Sequence, residues 1–306
     1  MKLSIRSILL FGAIGILSQC SDIKQKSAIT NSSDSAFSFV FMTDIHIQPE
    51  LDATKGFKKV IDTVNIINPD FVLTGGDLIM DALGASYNRA DSLYMLYIEK
   101  IKGFKMPIYQ TMGNHEIFGI YEKSGISANN PMYGKKMYET KIGKRFYSFD
   151  HKGWHFIVLD DIGITNDRKY EALVDEEEIS WIKSDLSKLK ATTPIVISAH
   201  IPFISSHPTY IDSVAGNLKS EIVQNANQVL HLFKNYNLKL VLQGHLHYFE
   251  DINAANKCHF ITGGAVSAGW WKGSVNKTNE GFVLISIRGQ DVSAKYIEYG
   301  WNAVKK

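Results

Sequence analysis

Five short apolar stretches in this chain each run straight into a residue that can ligate a metal ion or carry a proton. Residues 37–42 (FSFVFM) lead to Thr43-Asp44-Ile45-His46, and residues 71–73 lead to Gly75-Gly76-Asp77. Residues 107–110 lead to Gly113-Asn114-His115-Glu116, residues 195–198 to Ala199-His200, and residues 240–242 to Gln243-Gly244-His245-Leu246-His247. Between the first two lies a segment, 54–67, with Phe57, Val60, Ile61, Val64 and Ile67 at helical spacing. Residues 85–101 read as a second helix. The β-α-β-α-β series predicts an α/β fold built in layers. In open α/β sheets the crevice at the carboxyl ends of the strands is where ligands bind.

The second half repeats this logic with more β-structure. Residues 146–149 and 154–159 flank His151-Lys152-Gly153, which predicts a hairpin. Residues 175–190 read as a capped amphipathic helix, with Asp175 as the N-cap and Glu178 three residues on. A strand at 195–198, a helix at 219–235 and a strand at 240–242 follow. Residues 246–262 and 281–299 read as hairpins or meanders. No internal repeat or linker interrupts residues 37–300, so 37–306 reads as one domain.

The first 36 residues read as an address and a tether. Lys2 and Arg6 precede an apolar run over residues 8–17. Ten residues are too few to span a bilayer, which needs about 20, and suit a signal-peptide core. Leu17-Ser18-Gln19-Cys20 resembles a bacterial lipobox, with Gln19 in place of the usual small residue. Residues 1–20 are therefore expected to be a lipoprotein-type signal peptide, with an ordinary secretory signal as the alternative. Residues 21–36 are polar and read as a flexible tether. The expected location is the bacterial periplasm or outer membrane, with membrane contact only through a lipid at Cys20.

Charge narrows the partners. The chain has 33 Lys and Arg against 31 Asp and Glu. Removing residues 1–20 takes away Lys2 and Arg6 and no acid, which leaves the two signs balanced. A nucleic-acid polymer is not an expected partner for such a chain. Two cysteines, Cys20 and Cys258, make neither a disulfide framework nor a zinc ribbon.

Asp44, His46, Asp77, Asn114, His200, His245 and His247 are all nitrogen or oxygen donors. Such a set suits Mn, Fe, Zn or Ni rather than a thiolate-preferring metal. Seven ligands exceed one tetrahedral ion and suit two ions sharing a bridge. Asp44 and His46, and again His245 and His247, are two apart, so an extended backbone would point each pair the same way. Glycines 76, 113 and 244 would allow tight turns beside a ligand.

The series D-x-H, G-D, G-N-H-E, H, G-H-x-H, running from about Phe39 to His247, resembles the calcineurin-like metallophosphoesterase superfamily. The resemblance implies a four-layer α/β/β/α sandwich of the metallo-dependent phosphatase type. By position it implies one divalent ion on Asp44, His46, Asp77 and His247, and a second on Asp77, Asn114, His200 and His245. Asp77 would bridge, and His115 would protonate the leaving group or steady the phosphate. Residues 147–150 (YSFD) and 154–160 (WHFIVLD) are similar to a stretch in the branch holding purple acid phosphatases and bacterial cyclic-nucleotide phosphodiesterases. Purple acid phosphatases carry a Tyr ligand three residues after the bridging Asp, where this chain has Met80, and lack the counterpart of His46. Protein phosphatases place an Asp at that same spacing, whereas Asp81 lies four residues after Asp77.

These expectations give a mechanism. Two divalent ions, Asp44, Asp77 and a bridging hydroxide sum to about +1, which attracts an anionic phosphate. Metal binding lowers the pKa of water from 15.7 to about 7 in the zinc case, giving a nucleophile at neutral pH. In-line attack of that hydroxide expels an alkoxide, and His115 supplies a proton. The expected substrate is a small phosphate ester, with diesters favoured slightly over monoesters. Two alternatives stay open: a binding scaffold that kept the fold without catalysis, and an envelope enzyme acting on lipid- or glycan-linked phosphate.

Some residues carry a second meaning. Glu116 either tunes His115 or belongs to its turn. His207, seven residues after His200, and the pair Trp270-Trp271 in the Gly-rich segment 263–273 are candidate substrate contacts. The alternative for the Trp pair is a loop that buries one indole in the core. His151, His155, His231 and His259 read as structural.

Overall fold

The computed structural model describes residues 36–210 and 218–303. The expected signal peptide, Cys20 and all but the last residue of the tether lie outside the described residues. The chain order begins β1 (Phe37–Met42), α1 (Ala53–Ile67), β2 (Phe71–Thr74), α2 (Tyr87–Ile101) and β3 (Ile108–Tyr109). Next come α3 (Lys136–Lys141), β4 (Tyr147–His151), β5 (Trp154–Val158), β6 (Ile162–Ile164), β7 (Tyr170–Ala172), α4 (Glu176–Leu186) and β8 (Pro194–Ser198). The last part holds α5 (His207–Tyr210), α6 (Leu218–Glu221), α7 (Ala226–Leu232), β9 (Asn237–Gln243), β10 (Phe249–Ala254), β11 (Cys258–Gly263), β12 (Gly281–Arg288) and β13 (Asp291–Glu298).

Two mixed sheets dominate, in the orders β13-β12-β1-β2-β3 and β10-β11-β9-β8-β5-β4. In the first, β1, β2 and β3 are parallel, and the β12–β13 hairpin adds antiparallel to β1. In the second, β5, β8, β9 and β11 are parallel, with β4 and β10 antiparallel at the edges.

Side-chain alternation decides which face goes where. Phe37, Phe39, Phe41, Phe71, Leu73, Val283 and Ile285 of the first sheet pack in one cluster with Trp154, Phe156, Val158, Val196, Leu240 and Leu242 of the second. Phe39 stacks on Phe71 at 4.9 Å, and Phe156 meets both edge-on. The intervening residues, Val40, Met42, Val72, Ile157, Ile195, Ile197 and Val241, belong to a second cluster shared with the helices. Helices α1 and α2 link parallel neighbours of the first sheet, and α4 and α7 do the same in the second. A crossover packs back on its own sheet, so the layers run α/β/β/α, the expected architecture.

Local signals explain most boundaries. Asp175 caps α4, accepting from the Glu178 N–H at 2.8 Å. Lys152 and Gly153 both take positive φ to turn the β4–β5 hairpin. The single helix expected over 219–235 is instead α6 and α7. Between them Val223 N–H bonds the Pro202 carbonyl, Gln224 N–H bonds that of Ala172, and the Asn225 side chain caps Val174 from both sides. Those contacts draw the backbone out of the helix. The two-stranded β6–β7 hairpin has no counterpart in the sequence reading. Among the described residues no helix is long and apolar enough to cross a membrane.

Candidate metal centre

The loops after β1, β2, β3, β8 and β9 converge at one end of the sandwich. Three groups of donors form there, each with all its ligand atoms within 4.8 Å of one another: Asp44, His46 and His247; His46, Asp77 and His115; and Asp77, His200 and His245. Asp77 Oδ2 lies at their middle, 3.7 Å from His46 Nε2, 3.8 Å from His115 Nε2 and 3.3 Å from His200 Nε2. Asn114 Oδ1 is 3.0 Å from His200 Nε2. On the other side, His247 Nε2 is 3.0 Å from His46 Nε2 and 3.2 Å from Asp44 Oδ1. All seven residues expected as ligands are therefore brought together. Asp44, His46, Asp77, Asn114, His200 and His247 are buried.

The backbone reaches this arrangement differently from the extended one expected. Asp44, His46, Asp77, His245 and His247 have φ of 54°, 45°, 52°, 68° and 57°. Left-handed backbone is sparse for residues with a side chain and costs about 1–3 kcal/mol at each. The two pairs thus converge through tight left-handed loops, not through a pleat. Hydrogen bonds between loops hold them there. Asp44 N–H donates to Gly76 O at 3.0 Å, His46 N–H to Asp77 O at 2.9 Å, Gly244 N–H to His200 O at 2.7 Å and Ser267 N–H to Asp44 O at 3.2 Å. Gly76 takes a φ of 89°, and a Cβ there would sit 2.5 Å from His200 Nδ1. A Cβ at Gly113 would come within 2.1 Å of the Asp77 backbone nitrogen.

Glu116 is the main residue whose role the sequence left open. Its buried carboxylate accepts backbone N–H bonds from Asp77 (3.0 Å), Leu78 (2.8 Å), Ile79 (3.1 Å) and Gly113 (2.7 Å). It ties the Asp77 loop to the Asn114 loop.

Ring orientation follows from the second ring nitrogen. His200 Nδ1–H donates to Gly75 O at 2.7 Å, and His247 Nδ1–H donates to Ala268 O. A carbonyl only accepts, so in the neutral ring it is Nε2 that would offer its lone pair to a cation. His245 Nε2 instead faces Glu221 Oε2 at 3.4 Å, which leaves its Nδ1 for the cluster. His115 Nδ1–H donates to the Met80 carbonyl. Asp81 is occupied elsewhere, accepting from Leu83 N–H at 2.8 Å.

The electrostatics fit a cation. Asp44 Oδ1 is buried without a hydrogen-bond partner, an arrangement that costs free energy in a purely protein environment. Burial alone would raise the Asp44 pKa, but His247 and His200 hold it down to about 2. Burial disfavours charge on His200, yet Asp77, Asp44 and Asp161 push its pKa up to about 10. A His raised this way is protonated at neutral pH, and a cation must displace that proton. Metal affinity should therefore rise with pH between 6 and 9, by about tenfold per unit for each proton released. Calorimetric titration with Mn²⁺ in buffers of differing ionisation enthalpy should register release of at least one proton. A buffer-independent heat would contradict this.

Substrate-contact candidates separate. Trp271 is 1% exposed, and its indole N–H points at Ile45 O (3.1 Å) and His46 O (3.0 Å). It braces the Asp44–His46 loop and has no face free for a ligand, so that expectation is corrected by burial. Trp270 stays exposed, with its ring 4.6 Å from that of His247. His207 is outside the three donor groups and packs on the Tyr248 ring at 4.8 Å. His151, His155 and His259 each pair with Asp side chains, away from the donor groups.

Sequence reasoning missed the far wall. Tyr170 of β7 places its ring 6.2 Å from that of His245. Arg168, in the same hairpin, donates to the carbonyls of Gly119, Ile120 and Ile126, each at 2.8 Å. The signal was faint, because three-residue strands show no alternation to read.

Comparison with known proteins agrees with this geometry. The chain is 28% identical over 153 residues to purple acid phosphatase 23 of Arabidopsis thaliana, covering 49% of this chain and 30% of that one. It is 22% identical over 219 residues to a probable cyclic nucleotide phosphodiesterase of Fibrobacter succinogenes, covering 72% and 73%. The fold is shared with a dimetal phosphatase from Danio rerio, at TM-score 0.56 and 13% identity, covering 87% of this chain and all of that one. Residues 37–249 match the calcineurin-like phosphoesterase family as a whole. From the sandwich, its donor-bearing loops and this match, it follows that the chain belongs to the calcineurin-like phosphoesterase family and is a metal-dependent hydrolase of phosphoric esters.

Proposed function

We propose that this hydrolase works with two divalent ions and acts on small phosphate esters outside the cytoplasm. Asp44, His46, Asp77 and His247 would hold one ion, and Asp77, Asn114, His200 and His245 the other. The observation that carries the reading is the position of Asp77 Oδ2, flanked by His46, His115 and His200 at 3.3–3.8 Å. When bound, such ions supply Lewis acidity and a water acidified to near neutral pKa.

The chain's own residues supply the rest. Asn114 is an uncharged ligand, so two carboxylates leave the loaded centre net positive and attractive to phosphate. His115 reaches the cluster with Nε2 while Nδ1–H is tied to Met80 O. Carrying a proton on Nε2, it is placed to hand it to the departing alkoxide. The buried rings of His46, His200 and His247 keep bulk water from the ligand side.

Diesters are the favoured class, a reading supported by the name of the Fibrobacter relative. The test is hydrolysis of bis-p-nitrophenyl phosphate against p-nitrophenyl phosphate by the full chain loaded with Mn²⁺. Metal-dependent turnover with the diester faster is the expected result. Absence of turnover with Mn²⁺, Fe²⁺, Zn²⁺ and Ni²⁺, despite two ions bound, would overturn the reading in favour of a binding scaffold. The leader supports an exported lipoprotein anchored at Cys20. Labelled palmitate should enter the wild-type chain and not Cys20→Ser.

A further inference from the structure

Trp270 is left unexplained by the fold. It is 39% exposed, while its neighbour Trp271 is sealed beneath the Asp44–His46 loop. Its ring centroid lies 4.6 Å from that of His247 and 6.1 Å from that of His46. An indole is normally highly buried, and folding gains nothing by leaving one at the mouth of a polar cluster. The backbone resists the placement as well. Ala268, Trp270 and Trp271 have φ of 43°, 53° and 70°, a conformation that is an outlier for bulky residues.

The mount is nevertheless closed on itself. Ala268 N–H bonds Ala265 O at 3.1 Å, Gly269 N–H bonds Gly273 O at 2.8 Å, Trp271 N–H bonds Ser267 O at 2.8 Å and Lys272 N–H bonds Gly269 O at 3.0 Å. His247 adds its Nδ1–H bond to Ala268 O. An exposed aromatic face is thus held at a set place beside two ligand histidines.

We propose that Trp270 is a stacking platform for a planar aromatic group carried by the phosphate ester. The inference rests on the phosphoesterase reading and names its substrate class: esters of nucleosides or of other ring-bearing alcohols. The two sides of the centre differ. Trp270 and His115 both neighbour His46, with the His115 ring 4.6 Å from it. His245 is faced by the Glu221 carboxylate and the Tyr170 ring. A ring attached to the phosphate is therefore drawn toward Trp270, beside His46 and His247. Trp270 makes contact with substrate and takes no part in bond breaking.

The test uses the full chain loaded with Mn²⁺ and two ligands that cannot be hydrolysed, benzylphosphonate and methylphosphonate. Calorimetry reads both dissociation constants. Aromatic stacking on a protein ring predicts that benzylphosphonate binds about tenfold or more tightly than methylphosphonate. That ratio should fall toward one in Trp270→Ala and in Trp270→Leu, and be largely restored in Trp270→Phe, with two ions per chain in each variant. A ratio near one in the wild type, or a ratio unchanged in both Trp270→Ala and Trp270→Leu, overturns the platform alone. Failure of both phosphonates to bind the loaded wild type overturns the phosphoesterase reading, and the platform with it.

Discussion

Asp77→Ala should abolish phosphate-ester hydrolysis and lower metal content together. Asp77 Oδ2 is shared by three imidazoles at 3.3–3.8 Å, and its Oδ1 accepts the His115 backbone N–H at 2.9 Å. Truncation removes the one group common to both proposed ion positions. It also takes away the carboxylate that His46, His115 and His200 all face. A single electrostatic contact to a transition state is worth about 10²–10³-fold in rate, and here more than one is lost. A fall in kcat/KM of at least about 10³-fold is expected, with elemental analysis showing fewer than two ions per chain. Full metal content with near-normal turnover would refute the shared-ligand assignment.

His115→Ala should behave differently, cutting turnover while sparing the ions. His115 is outside both proposed ligand sets. Loss of general acid catalysis costs about 10²–10⁴-fold. The loss depends on the leaving group. An alkoxide is a poor leaving group without a proton, whereas p-nitrophenolate departs readily on its own. The kcat deficit should therefore be large for an alkyl ester and much smaller for a p-nitrophenyl ester, at unchanged metal content. An equal deficit for both would assign His115 to phosphate binding instead. Asp81→Asn should leave that leaving-group dependence intact, because the His115 ring is oriented by the Met80 carbonyl, not by Asp81.

The donor set could be read from the sequence because each ligand follows a strand, and strand ends converge in a layered α/β fold. Asp44, His46, Asp77, Asn114, His200, His245 and His247 needed only that rule to be placed together. How they converge was not legible. Left-handed backbone at five of the non-glycine donor residues leaves only a weak signature, since Asp and His are enriched in that region but occur in every conformation. The four N–H bonds to Glu116 are equally invisible, because three of the donors lie 37 to 39 residues away. The split between α6 and α7 arises from contacts to Pro202, Ala172 and Val174. Local helix propensity over 219–235 was overridden by these distant partners. The Trp pair illustrates the same limit, because adjacent identical residues have opposite fates, one bracing the loop and one exposed.

The hydrogen bonds that stitch one donor loop to the next, with Glu116 joining the Asp77 and Asn114 loops, mean that the polypeptide itself ties the donor loops together. Donors of this type accept several first-row metals, and affinity alone separates those metals poorly. Such a donor set leaves the choice among first-row metals to their availability, so a shift in supply is expected to retune the enzyme with no change in its sequence.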